Sequence, residues 1–177
     1  MTDFTGFTAE TERLRLRTYT DDDFDAFFDL HRREDVARYL PWHPRDEQAA
    51  REALARHQRL TVEVDDQGVT LAAFDKATER LVGDFVLILR SVEHRRGEVG
   101  YVLHPDFAGR GLATEGARVM LDIAFEKLGL RHEAHLVQNE LFKGEWTDED
   151  DFAILHDEWQ KLRSGDVEKA GTAPSQG

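Results

Sequence analysis

A glycine-rich turn lies near the middle of the chain, in the stretch Phe107-Ala108-Gly109-Arg110-Gly111-Leu112-Ala113-Thr114-Glu115. It follows a β-like run at 98–103 and opens a helical pattern that extends to Leu128. A strand that ends in such a turn and continues as a helix leaves several backbone N–H groups without partners at the helix start. These groups and the helix dipole favour an anion, above all a phosphate. Gly109 and Gly111 allow a ligand to approach the backbone closely, and Arg110 adds a cationic donor.

The composition is typical of one globular domain. The chain has 177 residues, of which 40% are hydrophobic, and this is enough for a sizeable core. We expect a single domain at 1–163 and a small, polar, disordered tail at 164–177. The absence of cysteine excludes a disulfide framework, a cysteine nucleophile and thiolate metal ligands, and it is typical of a reducing compartment.

The net charge of −13 argues against binding to nucleic acid or to anionic membranes, since both require a basic surface. Such a charge is typical either of a protein with a cationic partner or of a surface that only maintains solubility. The start, Met1-Thr2-Asp3, lacks the pattern of a signal peptide, and no apolar run is long enough to span a bilayer. We therefore expect a cytoplasmic protein.

Along the chain, segments in which apolar residues recur at the spacing of a helix alternate with segments in which they recur at the spacing of a strand. Helices are predicted at 21–33, 46–60 and 112–128, the last of them ended by Gly129. Strands are predicted at 13–17, 69–74, 81–89, 98–103 and 132–137, mostly in antiparallel hairpins. Weaker patterns predict a turn at 142–146, a strand at 152–155 and a short helix at 157–162.

The helix after the glycine turn carries a stripe of small and apolar residues. Its members are Ala113, Ala117, Leu121, Ala124 and Leu128. Residues at this spacing share one helix face. The stripe therefore predicts the face that packs closely on a sheet.

Four motifs follow one another along the chain: Thr11–Arg17, Glu98–Leu103, His104–Glu115 and Phe142–Trp146. Together they resemble the GNAT superfamily of acyl-CoA-dependent N-acyltransferases, and within it the RimJ/RimL-like branch of the ribosomal-protein N-acetyltransferase type. The resemblance extends from about Thr11 to Trp159. It implies an α+β fold with a mixed, mostly antiparallel central sheet flanked by helices, shortened in its C-terminal part.

The chain departs from this family after Gly129. Family members continue with a strand, a helix and a second strand before the motif that matches Phe142–Trp146, whereas only 131–141 lies between the two here. The resemblance therefore implies that one strand and one helix are absent, about twenty residues at usual element lengths. In many members the missing helix carries the residue that protonates the leaving thiolate. A missing strand would also leave an exposed sheet edge.

The resemblance implies acetyl-CoA as the cosubstrate. The family's pyrophosphate loop begins with Gln or Arg, a position that falls here on Ala108, while Gly111 and Ala113 match the family pattern. The implied cofactor-binding residues are Leu103, whose backbone bonds the pantetheine arm, and Ala108, Gly109, Arg110, Gly111, Leu112, Ala113 and Thr114. No metal site is predicted, because His132 and His135 lack a third ligand at a recognisable spacing.

Acetyl transfer to an amine requires one group that removes the ammonium proton and one that protonates the thiolate. Glu98 is the candidate base, and it can equally form an ion pair with Arg95 or Arg96. Tyr101 is the candidate proton donor, and it can also be a core aromatic.

Three functions are compatible with these residues. The first is transfer of an acetyl group from acetyl-CoA to a primary amine, of a protein N-terminus or a small cationic molecule, by direct attack in a ternary complex. Trp42 and Trp146 would then line the acceptor pocket, although both can also pack at a domain edge. The second is a CoA-binding module with impaired or no turnover. The third is a homo-oligomer that exchanges a strand through the shortened region.

Overall fold

The computed structural model describes residues 2–38, 40–93 and 96–127 in full, and the backbone of 135–142 and 145–150. Four sequence-based predictions lie outside these residues. They are the helix stop at Gly129, the strand at 152–155, the helix at 157–162 and the tail at 164–177.

The first part of the chain supplies three strands and three helices. These are β1 (Thr2–Asp3), β2 (Thr8–Glu10), β3 (Leu14–Thr18), α1 (Phe24–His31), α2 (Glu34–Ala37) and α3 (Glu47–His57). A 3₁₀ turn at Asp21–Asp23 precedes α1, so this helix begins later than predicted. Asp46 is the N-cap of α3, and its side chain accepts a hydrogen bond from the Ala49 N–H at 2.8 Å.

The following part contains the longer strands and the helix after the glycine turn. Its elements are β4 (Thr61–Val62), β5 (Gln67–Asp75), β6 (Leu81–Ser91), β7 (Arg96–Leu103), α4 (Leu112–Asp122), β8 (His135–Phe142) and β9 (Glu145–Asp150). A π-helical turn at Ile123–Lys127 extends α4. Strand β8 overlaps the strand predicted at 132–137 and continues to Phe142, and 132–134 lie outside the described residues. The turn predicted at 142–146 falls on the end of β8, the start of β9 and two residues that are not described.

Five strands form one antiparallel sheet in the order β2-β3-β5-β6-β7. Two further pairs, β1 with β4 and β8 with β9, are each antiparallel as well. The predicted α+β class, with antiparallel strands flanked by helices, is confirmed. In the described part of the chain, no strand pairs with the outer edge of β7.

The two faces of the sheet carry separate cores. The α4 core lies on one face and includes Phe85 and Met120. The α1–α3 core lies on the other face and includes Phe27 and Leu54. Strands β5 and β6 contribute to both cores, as the continuous apolar run at 81–89 predicts.

The buried face of α4 differs from the predicted stripe. Leu112 and Gly116 are buried, whereas Ala113 and Ala117, each one position further along, are only half-buried. The predicted stripe is correct at Ala124, which is buried in the α4 core, whereas Leu121 is half-buried and Leu128 lies outside the described residues. It missed Gly116, because a glycine adds nothing to an apolar pattern, and Gly116 is where the helix approaches the sheet. An added Cβ there would lie 2.2 Å from Cζ of Phe85.

Candidate active site

A short 3₁₀ turn at Pro105–Phe107 connects strand β7 to the glycine turn. The N-cap of this 3₁₀ turn is His104, whose Nδ1 accepts a hydrogen bond from the Asp106 N–H at 3.2 Å. Gly109 and Gly111 then have φ angles of +72° and +75°, in the left-handed region that favours glycine. A Cβ at Gly109 would have no atom within 4 Å, so the backbone is open to a ligand at this point.

The start of α4 offers backbone N–H groups to an anion. The first bond within the helix joins the Glu115 N–H to the Gly111 carbonyl oxygen at 3.2 Å. The N–H groups of Leu112, Ala113 and Thr114 precede it and have no acceptor within the helix. With the two left-handed glycines, they fit the diphosphate of CoA, since phosphate oxygens accept hydrogen bonds from N–H groups at a helix N-terminus.

A clamp formed by Arg13 and Glu115 lies beside the turn, and sequence reasoning missed it. Oε1 of Glu115 accepts a hydrogen bond from the Arg13 backbone N–H at 2.9 Å, and Oε2 accepts one from Arg13 Nε at 2.7 Å. Nη1 of Arg13 donates to the Arg110 carbonyl oxygen at 2.8 Å. The clamp thus joins the start of β3 to the glycine turn. A signal was available, because both residues lie in motifs that carry the family resemblance.

The clamp also balances charge at the turn. Burial alone raises the pKa of Glu115, but hydrogen bonds from Thr11 and Arg13 outweigh it and hold the pKa below its usual value. Arg13 neutralises this carboxylate next to the proposed phosphate site. Arg110, the predicted phosphate donor, lies 3.4 Å from Oδ2 of Asp75. Phosphate binding would therefore give Arg110 one anionic partner in place of another.

The two candidate catalytic residues lie on opposite faces of β7. Val102 pairs with Asp84 and packs against the α1–α3 core, and Glu98 shares this face because side chains alternate along a strand. Tyr101 is on the α4 side, with its ring centre 5.9 Å from that of Phe85. Glu98 and Tyr101 are separated by about 10 Å along the strand. A group bound along the outer edge of β7 can be reached from both faces.

Glu98 forms an ion pair with an arginine of the neighbouring strand. Nε and Nη2 of Arg90 donate to Oε2 of Glu98 at 2.8 and 2.6 Å. Arg95 lies outside the described residues, and within them Glu98 pairs with Arg90 and not with Arg96. The expectation of Arg96 was wrong because Arg90 of β6, two positions beyond the residue that pairs with Glu98, lies diagonally across the strand pair and its long side chain reaches the carboxylate.

Tyr101 and Leu103 complete the candidate site on β7. Tyr101 is 53% exposed, so its alternative interpretation as a core aromatic is wrong. Leu103 is half-buried against the α4 core and pairs with Gly83 of β6. Among the described residues, the backbone of β7 from Tyr101 to Leu103 therefore lies at the edge of the sheet and leads to the glycine turn.

Trp42 packs beside a buried polar cluster that sequence reasoning also missed. Trp42 lies half-buried against the α1–α3 core, which Val102 of β7 contacts as well. Its ring stacks on that of His31, with the ring centres 5.0 Å apart and the planes at 20°. Nε2 of His31 lies 2.6 Å from Oδ2 of Asp84. Of the other pocket candidate, Trp146, the structure describes only the backbone, within β9.

The Asp84 cluster consists of Asp84, His31, Tyr19 and His57. Asp84 is only 3% exposed, and its carboxylate accepts hydrogen bonds from the Tyr19 hydroxyl and from His31. Burial alone raises the pKa of Asp84, but the hydrogen bond from His31 and the other interactions outweigh it and hold the pKa below its usual value. Burial and the Asp84 charge raise the pKa of Tyr19 far above its usual value. The overlooked signal was an aspartate inside an apolar strand.

His57 ends α3 beside this cluster. Its Nδ1 is buried, has no hydrogen-bond partner among the described residues and lies 3.9 Å from Oδ2 of Asp84. Burial lowers the pKa of His57 from its ordinary 6.5 to about 4, although the Asp84 charge opposes this shift. The ring is therefore neutral at pH 7.

The buried His57 predicts a loss of stability in weak acid. Between pH 6.5 and 4 the unfolded chain takes up a proton at His57 that the folded protein excludes. The free energy of unfolding therefore falls as the pH falls, by about 3 kcal/mol in total. We expect the variant His57→Leu to lose correspondingly less stability over this window. Urea unfolding at a series of pH values measures how the free energy of unfolding changes with pH in the wild type and in the variant. Equal slopes for the two proteins would contradict the lowered pKa of His57.

Among the described residues, none of the helices has the length and apolar character of a membrane span. No group of three or more His, Asp or Glu side chains in the same part of the chain is arranged to hold a metal ion. Of the two histidines considered from the sequence, His135 has only its backbone described and His132 lies outside the described residues.

The match to a known family extends over most of this architecture. The family model of the acetyltransferase (GNAT) domain matches residues 13–140, from the start of β3 into β8. The chain therefore belongs to the GNAT acetyltransferase family, whose members carry out acetyl-CoA-dependent N-acetylation.

Individual proteins resemble the chain in sequence or in fold. The uncharacterized N-acetyltransferase YoaA of Bacillus subtilis is 28% identical over 122 residues, which are 68% of each chain. The structure of a GNAT-family acetyltransferase from Bacillus anthracis superposes with a TM-score of 0.72 and 21% identity, over 85% of this chain and 99% of that one. A spermidine N-acetyltransferase from Vibrio cholerae, solved with CoA and spermine, gives a TM-score of 0.67 and 20% identity, over 85% and 99% of the two chains.

Proposed function

We propose that this protein transfers the acetyl group of acetyl-CoA to a primary amine by direct attack within a ternary complex. The observation that carries the proposal is the continuity of β7, whose outer edge pairs with no strand among the described residues, with the glycine turn at the start of α4. The edge can bond the pantetheine arm near Leu103, while the backbone of 108–114 binds the diphosphate. The thioester then lies along β7, within reach of both strand faces, so that proximity assists the reaction.

The residues of β7 would move the protons of the reaction. Acetyl-CoA supplies the thioester, whose carbon–sulfur bond breaks as the bond to the amine nitrogen forms. Glu98 accepts the first proton of the incoming ammonium group, directly or through a water molecule, and Tyr101 donates a proton to the departing sulfur. The nitrogen loses a second proton as it becomes an amide, and water passes that proton to the Tyr101 oxygen, which restores the hydroxyl. In the first of these transfers the ammonium group of the acceptor replaces Arg90 as the cationic partner of the Glu98 carboxylate. The ion pair with Arg90 supports this step, because it shows that a cation can bind at this carboxylate.

The acceptor we propose is a protein N-terminus or a small cationic amine. The net charge of −13 supports a cationic acceptor, because the field of the protein attracts positive molecules. Similarity in fold to a spermidine N-acetyltransferase supports the small amines. The resemblance to the RimJ/RimL-like branch supports the protein N-terminus.

A second candidate is a CoA-binding module with impaired or no turnover. The two hydrogen bonds from Arg90 favour it, since they occupy the carboxylate that would act as the base. The strand and helix that we infer to be absent also favour this module. The same absence favours a homo-oligomer in which two copies exchange a strand at the outer edge of β7.

Titration and turnover distinguish these functions. Calorimetry with CoA and acetyl-CoA measures binding, and incubation of acetyl-CoA with a panel of amines measures released thiol. The chain has no cysteine, so every thiol in the assay comes from CoA. Binding with turnover supports the transferase, whereas binding without turnover favours the module. A folded protein that binds neither compound overturns both, and size-exclusion chromatography reports exchange between copies.

We expect Gly109→Ala to weaken CoA binding. Alanine is strained at the positive φ of this position, and its Cβ would occupy the open space where the diphosphate would approach. The loss of one hydrogen bond to phosphate corresponds to about a tenfold increase in Kd. Gly6→Ala is the matched control, because Gly6 has a φ of +67° and its Cβ would also meet nothing within 4 Å. Calorimetric Kd values that change equally in both variants would contradict this role of the turn.

A further inference from the structure

Asp84 occupies a position where an apolar residue would be expected. It interrupts the apolar run of β6 from Leu81 to Leu89, and it pairs with Ala72 on one side and Val102 on the other. An ionised carboxylate in such a place is costly even when hydrogen-bonded, and a well-packed apolar residue is often as stable or more stable. A buried charge here therefore points to a role beyond stability.

His31 is the principal partner of Asp84. Both of its ring nitrogens have hydrogen-bond partners, and its ring stacks on two other rings. Nε2 bonds to Asp84, and Nδ1 accepts a hydrogen bond from Nε of Arg45 at 3.4 Å. These partners assign the hydrogen of the ring to Nε2. The ring stacks on Phe27 at 3.9 Å and on Trp42 at 5.0 Å between centres. His31 is thus an oriented support against which Trp42 lies.

Trp42 lies in the connection between α2 and α3, outside any helix or strand. Arg45 joins this connection to the end of α1, since its backbone N–H donates to the His31 carbonyl oxygen at 3.0 Å. The guanidinium carbon of Arg45 lies 4.8 Å from the centre of the Trp42 ring. The place of the ring therefore depends on contacts with His31 and Arg45.

We propose that Asp84 is a positioning residue for the acceptor amine: through His31 it holds Trp42 as a wall of the acceptor pocket. The inference rests on the proposed function. It also rests on placement, because Asp84, Val102 and Glu98 share one face of the sheet and Trp42 packs on that face. A tryptophan ring packs on alkyl groups and attracts cations, so the acceptor carries an alkyl surface next to its ammonium group.

The other partner of the carboxylate supplies a matched control. The Tyr19 hydroxyl also donates to Asp84, but the Tyr19 ring packs edge-to-face against Phe27 and makes no ring contact with Trp42 among the described residues. Tyr19→Phe therefore removes a hydrogen bond from the same carboxylate without touching the support of Trp42. If the cluster only stabilises the fold, Asp84→Asn and Tyr19→Phe affect stability alone.

The test follows Trp42 by ¹⁹F NMR of protein labelled with 5-fluorotryptophan. The chain has three tryptophans, and the signal that Trp42→Phe removes is that of Trp42. We expect Asp84→Asn to shift or broaden this signal and to raise the acceptor KM about tenfold, as misplacement of a binding wall does. The calorimetric Kd for CoA is expected to stay unchanged. The acceptor probes are 1,5-diaminopentane and a hexapeptide with a free N-terminus, and the one that the wild type acetylates faster is used.

A second variant keeps the test decisive if Asp84→Asn does not fold. In His31→Gln, the glutamine amide can still donate a hydrogen bond to Asp84, but the variant has no ring on which Trp42 can stack. We therefore expect the ¹⁹F signal of Trp42 and the acceptor KM to change in this variant as well. Tyr19→Phe is expected to leave both unchanged. An unchanged Trp42 signal in His31→Gln, or an equal change in Tyr19→Phe, overturns the proposal. A wild type that binds CoA but acetylates neither amine counts against the acceptor role, whereas a wild type that binds no CoA overturns the proposed function itself.

Discussion

Replacement of Gly83 by alanine is expected to lower the free energy of unfolding by about 3 kcal/mol, in the upper range for overpacked cores. The added Cβ would lie 2.0 Å from the Val102 carbonyl oxygen and 3.0 Å from Cα of Leu103. Both atoms belong to the backbone of β7, so neither can rotate away from the methyl group. Strand β7 has to move relative to β6, and we expect the Kd for CoA to rise because Leu103 moves with it.

Gly100→Ala is the matched control for this prediction. Gly100 also lies in the sheet, on β7, but its Cβ would meet only Cγ1 of Val86 at 3.2 Å, and a side chain can adjust. We expect Gly100→Ala to cost about 1 kcal/mol or less. Urea unfolding of both variants measures the difference, and equal losses would contradict the close approach of β6 and β7.

Replacement of Glu98 by glutamine is expected to lower kcat about 100-fold while the Kd for CoA stays unchanged. Glutamine preserves the shape of the side chain but cannot accept the ammonium proton, and a positioned general base contributes on this scale or more. Stopped assays of thiol release give kcat, and calorimetry gives the Kd for CoA.

The control for Glu98→Gln is Glu79→Gln, which removes an exposed carboxylate from an ion pair with Arg15. This variant is expected to keep the kcat of the wild type. A Glu98→Gln protein with full kcat would exclude Glu98 as the base. A parallel increase in the Kd for CoA would instead indicate a structural role for the ion pair with Arg90.

Local signals explain why the main architecture could be predicted. The apolar run at 81–89 predicted a strand buried on both faces, and β6 is that strand. Gly109 and Gly111 predicted a glycine-rich turn before a helix, and in the structure both glycines have positive φ and precede α4. In each case the residues that carry the signal are neighbours in the sequence, so their conformation follows from local sterics and periodicity.

The clamp and the Asp84 cluster could not be predicted in this way. Arg13 and Glu115 are 102 positions apart, and the Asp84 cluster draws its members from β6, α1, α3 and the segment after β3. Their contacts depend on strand order and on the angle at which helices cross the sheet, which no local pattern encodes. Gly116 is a similar case, because only the packed structure places it against the Phe85 ring.

The clamp between Arg13 and Glu115 also means that the glycine turn is not a self-contained module. The Arg110 carbonyl accepts a hydrogen bond from the guanidinium of Arg13, the residue that immediately precedes β3. A fragment that begins at β6 would keep both glycines and α4 but would leave the Glu115 carboxylate unneutralised beside the anion site. Grafting the turn onto another scaffold would therefore require a substitute cation, and trimming the amino terminus past Arg13 would disturb the proposed diphosphate site a hundred positions away.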